Sequence, residues 1–243
     1  METVKPYQPD TSKKEQVEQM FDNIAHSYDF LNHFFSLGID IRWRKKAIKL
    51  LQPLAPRTML DVATGTGDFA LTIAASKLPV EKITGIDISN GMLDVGRKKV
   101  TAKNLDQRIT LLQADSENLL FEDNSFDAIT VAFGVRNFEN LEKGLAEMLR
   151  VLKPGGMAVV LEFSKPRRFP MKQVFGLYFR RIMPAVGNAV SKDKRAYSYL
   201  PESVNAFPEG QDFASILSKV GYKEVNFKPL TGGVATLYSG LKA

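Results

Sequence analysis

The chain has 243 residues, 44% hydrophobic, 25% charged and 10% aromatic, enough for one large domain or two small ones with a sizeable core. It contains no cysteine and only two histidines, His26 and His33, which excludes disulfides, thiolate metal sites and a cysteine nucleophile and leaves no metal site expected. The net charge of +6 points to an anionic partner: nucleic acid, a membrane surface or an acidic ligand.

Residues 1–14 are polar, contain Pro6 and Pro9, and read as a flexible arm. The first 20 residues carry no signal-peptide pattern, and no apolar run approaches the roughly 20 residues a spanning helix needs. The expected location is therefore cytoplasmic, with at most peripheral contact at the inner face of a membrane. Residues 15–52 form a helical cap, with Val17, Met20, Phe21, Ile24 and then Ile41, Ala47, Ile48 and Leu51 at helical spacing, broken near Gly38. A regular alternation follows. Thr58 to Ala63 reads as a strand, Asp68 to Ser76 as a helix, Lys82 to Ile88 as a strand, and Ser89 caps a helix running to about Lys103. Ile109 to Ala114 and Phe126 to Phe133 are further strands. Leu141 to Val151 is helical, Pro154-Gly155-Gly156 a turn, and Met157 to Phe163 a fifth strand, apolar enough to be buried on both faces. Gln211 to Val220 is the last helix, and Lys223 to Lys228 pairs with Val234 to Leu241 as a hairpin across Gly232-Gly233. Strand and helix alternating at this pace predict right-handed βαβ units and a mostly parallel sheet in one α/β domain over 15–243.

The segment Asp61-Val-Ala-Thr-Gly65-Thr-Gly67-Asp follows a strand and opens a helix. Gly65 and Gly67 let the backbone pass close to a ligand, and the helix start offers unpaired N–H groups. The same spacing also suits a strand-to-helix turn with no ligand. Asp87 ends the second strand, 20 residues beyond Gly67, where a carboxylate can accept both ribose hydroxyls. Asp115, just after the third strand, is placed to meet an adenine amine, although it also reads as a solvated turn acid. Three strand ends converging on one crevice indicate an adenosine-bearing cofactor. Asp61 beside the glycine loop gains nothing from a pyrophosphate and favours a ligand carrying an ammonium and a sulfonium. That leaves nicotinamide as the weaker alternative.

From about Met20 to Lys242 the chain resembles the quinone-biosynthesis C-methyltransferases that act on demethylmenaquinone and 2-polyprenyl-benzoquinol precursors. The resemblance is carried by Phe21-Asp-Asn-Ile-Ala-His-Ser-Tyr28-Asp, Asp61 to Asp68, Phe133-Gly-Val-Arg-Asn137, Arg150 to Gly156, Leu161 to Pro166, Tyr197 to Ser203 and Leu230 to Val234. It implies a class I S-adenosylmethionine-dependent fold: a Rossmann-like, mostly parallel seven-stranded sheet with a C-terminal antiparallel hairpin. It also implies S-adenosylmethionine as cofactor, with Thr66, Asp87, Asp115 and Ser116 in contact with it; Asp61, Gly65, Gly67 and Ile88 complete the expected binding set. The expected reaction is methylation of a polyprenyl quinol ring, demethylmenaquinol first and 2-polyprenyl-6-methoxy-benzoquinol second. Two positions depart from related patterns. Ala63 stands where many methyltransferases have a first glycine, and Ala132 where some relatives carry a serine.

A ring carbon is a poor nucleophile until its hydroxyl ionises, and a phenol titrates near pH 10. A cation within hydrogen-bond range lowers that by roughly 1 to 3 units. Arg136 is the best-placed cation, with Asn137 beside it; the competing reading of Arg136 is a surface ion pair. Tyr28 and Asp29 are candidates to position the ring or relay its proton, and His33 is a further candidate base. Between Lys165 and Arg195 there are nine basic residues and one acid, interleaved with Phe169, Phe175, Leu177, Tyr178, Phe179 and Met183. Residues 165–205 therefore read as a basic lid for the substrate and an anionic membrane, or else as a solvated helix packed on the core. No nucleic-acid partner is expected, because the Asn/Asp-Pro-Pro-aromatic motif of amino-group methylators is missing after the fourth strand. A homodimer is left open.

Overall fold

The computed structural model describes residues 4–7, 10–36, 38–177 and 194–243, with backbone alone at 30–36, 194 and 197. Five predicted strands form the parallel part of one sheet: β1 (Thr58–Val62), β2 (Lys82–Asp87), β3 (Ile109–Gln113), β4 (Phe126–Ala132) and β5 (Leu152–Phe163). The hairpin strands β6 (Lys223–Leu230) and β7 (Ala235–Leu241) add to it antiparallel, giving seven strands in the order β3-β2-β1-β4-β5-β7-β6. The order reverses between β1 and β4, where open sheets of this kind leave a crevice beyond the strands' carboxyl ends.

Alternate residues of each strand feed two cores. Met59, Ile83, Ala128 and Val159 face α2 (Ile39–Leu51), α3 (Asp68–Ala74) and α4 (Asn90–Ala102). Leu60, Ile86, Ile129 and Val160 face α5 (Leu141–Val151) and, further along the chain, the helix Gln211–Val220. The turn predicted at Pro154-Gly155-Gly156 lies inside β5 as a bulge, where pairing steps from Phe126–Leu152 to Ala128–Met157. Gly155, at φ 75°, donates to the Lys242 carbonyl at 2.9 Å and Lys242 N–H returns to Gly156 at 3.0 Å, so the chain's end extends the sheet there.

The helical cap is α1 (Lys13–Ser36), separated from α2 by Gly38 at φ 71°. Its start is fixed more firmly than an arm through residue 14 implies. The buried Lys13 ammonium donates to the carbonyls of Arg136 at 2.9 Å and Phe138 at 2.8 Å. Along the rest of the predicted basic lid are α6 (Met171–Leu177) and α7 (Lys194–Ala206); Tyr178, Phe179 and Met183 lie outside the described residues. The last helix, Gln211–Val220, is α8. Val17, Met20 and Ile24 of α1 pack with Ala196 and Tyr199 of α7 as a third apolar cluster. Burial of each of Val17, Met20 and Ile24 stabilises the cap by about 1.5–3 kcal/mol.

Candidate active site

Beyond β1 and β4 the chain turns through the left-handed region at Ala63 (φ 49°) and Phe133 (φ 59°). For residues with a Cβ this conformation costs about 1–2 kcal/mol. The cost is met by tertiary contacts: Phe133 N–H donates to Leu161 at 2.7 Å and its ring stacks on Phe163 at 4.4 Å. The unusual Ala63 thus occupies a backbone geometry that a glycine adopts freely. A Cβ on Gly134 would lie 2.5 Å from that of Ala63, so the two strand ends approach as closely as glycine allows.

Between these strand ends and α1 lies a crevice with about 670 Å³ of space between atoms, the open solvent at its mouth included. Gly65, Asp87, Ile88, Asp115, Ser116, Asn137 and Tyr28 line it, and α1 adds Lys14, Val17 and Phe21. A smaller adjoining compartment shares Tyr28, Ala63 and Gly65 and is completed by Asp61, Thr66, Asp68 and Arg44. Gly67 lines neither; at φ 78° it opens α3, accepting from Leu71 N–H at 2.9 Å. The His33 side chain lies outside the described residues.

Asp87 accepts from Gly65 N–H at 2.8 Å and Ser89 N–H at 2.9 Å, one bond to each oxygen. The competing cap role falls to Ser89, whose hydroxyl accepts from Met92 N–H at 3.1 Å. Burial pushes the Asp87 carboxyl up to about 6 against the pull of those backbone donors. Asp61 accepts from the hydroxyls of Thr64 at 2.6 Å and Thr130 at 2.7 Å, and burial likewise pushes it up to about 6. Asp115 is paired with Lys14 at 3.0 Å and accepts from Glu117 N–H at 2.8 Å. The Thr66 hydroxyl is directed to Asp29, whose other oxygen meets Lys99 at 2.8 Å, so Asp29 fastens α1 to the glycine loop.

Arg136 lies in the short helical turn Val135–Asn137 after β4. Its ion pair is buried, not on the surface. One guanidinium nitrogen donates to Glu162 at 2.8 Å and to the Phe133 carbonyl, and the group sits 5.7 Å over the Phe163 ring. Asn137 accepts from the Tyr199 hydroxyl at 3.2 Å. Burial pushes the phenols of Tyr28 and Tyr199 up to about 12, with Arg136 opposing the shift at each. At neutral pH both phenols hold their protons.

Four participants were missed in the sequence. Glu162 had a usable signal: a lone acid in the apolar run Met157 to Phe163 needs a buried cation. Tyr199, Lys14 and Arg44 had none, because their roles depend on helices that meet the crevice through tertiary packing. Among the described residues, the buried side-chain nitrogens left without a hydrogen-bond partner are the Nε atoms of Arg44 and Arg136. Arg44 lines the smaller compartment, whereas Arg136 lines neither it nor the crevice but a separate cavity with Lys13 and Glu139. A buried donor without a protein partner needs one from water or a ligand.

The model of the ubiE/COQ5 methyltransferase family matches residues 10–242. The chain belongs to that family. A demethylmenaquinone methyltransferase of Bacteroides fragilis is 54% identical over 241 residues, covering 99% of this chain and 98% of that protein. A ubiquinone/menaquinone biosynthesis C-methyltransferase of Geobacter sulfurreducens is 45% identical, over 96% and 90% of the two chains. Among solved structures, an S-adenosylmethionine-dependent methyltransferase of Thermotoga maritima superposes with TM-score 0.66 at 19% identity, over 93% of this chain and 99% of that one. The [4+2]-cyclase SpnF superposes with TM-score 0.69 at 16% identity, over 94% and 96%. These two likenesses establish the class I fold, and the cyclase shows that the fold by itself does not fix the chemistry.

Proposed function

We propose that the chain transfers a methyl group from S-adenosylmethionine to a ring carbon of demethylmenaquinol, and that a polyprenyl benzoquinol is a second acceptor. The observation that carries the ring chemistry is a buried cation, Arg136, next to Asn137 and close enough to influence Tyr28 and Tyr199. The naphthoquinol is favoured by the names of the relatives at 54% and 48% identity.

S-adenosylmethionine, when bound, supplies an electrophilic methyl group on a sulfonium. Asp87, its plane fixed by two backbone donors, is the group to hold the ribose hydroxyls, with Ile88, Asp115 and Ser116 along the adenine. Asp61 gives the smaller compartment the negative charge that an ammonium needs. Arg136 favours the phenolate form of the acceptor, raising the electron density of its ring. The ring carbon takes the methyl as its bond to sulfur breaks, leaving S-adenosylhomocysteine, and the ring hydrogen departs as a proton to water. Tyr28, protonated at neutral pH, donates a hydrogen bond to the acceptor, Tyr199 directs its own to Asn137, and neither takes the ring proton.

Purified protein given S-adenosylmethionine with a radioactive methyl group and reduced demethylmenaquinone is expected to label the naphthoquinol ring. Label confined to other acceptors, or no label, contradicts the proposal.

The carboxyls of Asp61 and Asp87 also set a pH dependence. Their folded values, about 6, exceed the ordinary 3.8, so the unliganded fold holds protons that the unfolded chain has released. Their contribution to stability is complete below about 3.8 and is lost as pH rises through about 6. A ligand that donates to the ionised forms draws both values back down. Affinity for S-adenosylhomocysteine is therefore expected to rise between pH 5 and 7.5, about tenfold for each carboxyl. Calorimetry showing the same affinity at both ends would remove these groups from the cofactor site.

Peripheral contact with an anionic membrane is the second part of the proposal. Phe169 is 81% exposed, Val174 56% and Leu177 53%, beside the exposed Arg167. No helix among the described residues is long and apolar enough to cross a membrane. The protein is expected to sediment with vesicles containing anionic lipid, and less so as Phe169→Asp/Leu177→Asp. Equal sedimentation with neutral vesicles would count against it.

A further inference from the structure

The geometry points to Arg44 as the residue that binds the carboxylate of the methyl donor's amino-acid end, an inference that rests on the cofactor reading above. Arg44 sits on α2, its side chain 6% exposed, and lines the smaller compartment together with Asp61. One terminal nitrogen, Nη1, is used by Asp40, one helical turn earlier. The other, Nη2, comes no closer than 4.0 Å to Asp68, beyond hydrogen-bond range. Nε is buried and has no partner. Nε and Nη2 form one straight edge of the guanidinium, the pair of parallel donors that receives a carboxylate in two hydrogen bonds.

The compartment is thus lined by a cation whose bidentate edge is buried and unpaired and, within electrostatic reach of it, by the buried Asp61 carboxylate. An α-amino acid carries the complementary charges on one carbon, an ammonium for Asp61 and a carboxylate for Arg44. The compartment shares Tyr28, Ala63 and Gly65 with the crevice that holds Asp87, so one ligand can span both. A purely structural role would be complete with the Asp40 pair and would not leave a buried donor unpaired.

The test measures binding rather than turnover, using two probes. S-adenosylhomocysteine has the amino-acid end and 5′-methylthioadenosine lacks it, while both share the nucleoside thioether. Two variants guard against a folding artefact. Arg44→Lys keeps a cation beside Asp40 but loses the two-donor edge, and Arg44→Met/Asp40→Asn removes the buried pair as a unit. Each variant, once shown by thermal melting to be folded, is expected to bind S-adenosylhomocysteine about 10- to 100-fold more weakly, as the loss of hydrogen bonds to a charged group requires. Affinity for 5′-methylthioadenosine should stay within about threefold of wild type, since no ligand charge faces Arg44 in that complex. Unchanged affinity for S-adenosylhomocysteine in either folded variant, or an equal loss for both probes, overturns the assignment while leaving the cofactor reading intact. Wild-type protein that binds neither probe overturns the cofactor reading, and Arg44's role with it.

Discussion

Replacing Arg136 by Met is expected to lower turnover by about 10²- to 10³-fold, the cost of removing one preorganised charge stabiliser, while S-adenosylhomocysteine affinity stays nearly unchanged. One guanidinium nitrogen is held by Glu162 at 2.8 Å and by the Phe133 carbonyl, and the group's face lies 5.7 Å over the Phe163 ring. Such a group reorganises little as charge develops on the acceptor oxygen. Its low exposure, 7%, keeps water from screening it. Arg136→Lys retains the charge but not the fork, and should recover only part of the rate. Removing Arg136 alone leaves Glu162 buried and unpaired, so lost activity could reflect damage to the fold. Arg136→Met/Glu162→Gln takes out both charges and separates the explanations. It should be folded and still slow; a folded double variant with near-normal turnover would remove Arg136 from the mechanism. The pH profile gives an independent check. If Arg136 eases ionisation of the acceptor phenol, the rate of Arg136→Met should climb toward higher pH more steeply than that of the wild type.

The parts legible in the sequence are those set by local chemistry. The parallel strands, the C-terminal hairpin and the Ser89 cap follow from alternation, turn residues and side-chain acceptors within a few positions. Asp87 was readable because a strand end in this topology must point into the crevice. What could not be read joins residues far apart in the chain. Lys13 meets the carbonyls of Arg136 and Phe138, Lys14 meets Asp115, Asp29 meets Thr66, and Tyr199 meets Asn137. Together these bonds close α1 and α7 over the strand ends. Helical periodicity identifies the apolar face of each helix but not the loop it will cover. Arg44 illustrates the limit: in sequence it is one more cation on a basic helix, and only the approach of α2 to α3 brings it to the glycine loop. The bulge in β5 has the same origin, since the residues that extend the strand past Gly155 lie at the chain's far end.

Glu162→Ala is expected to destabilise the protein by about 3–5 kcal/mol, the usual cost of leaving one member of a buried ion pair alone. Glu162 is fully buried, accepts from the Arg136 side chain, from the N–H of Phe163 at 2.8 Å and from the backbone N–H of Arg136 at 3.4 Å, and stands on β5 between β4 and β7. Burial raises its pKa, while Arg136 and the two backbone donors oppose the shift. The group therefore depends on its partner to remain ionised. At roughly 2–4 °C per kcal/mol for a domain of this size, melting should fall on the order of 6–20 °C. Glu162→Gln should lose less, because its amide oxygen still accepts from the Phe163 N–H. The decisive measurement is a double-mutant cycle. With Arg136→Met alone, the orphaned carboxyl can escape its penalty by taking up a proton; with Glu162→Ala alone, the guanidinium has no such escape. Glu162→Ala should therefore be the more damaging single change, and adding Arg136→Met to it should restore part of the lost stability. A double variant as unstable as the sum of the two single losses would mean that the pair is not coupled, and that each residue is held in place by its other contacts.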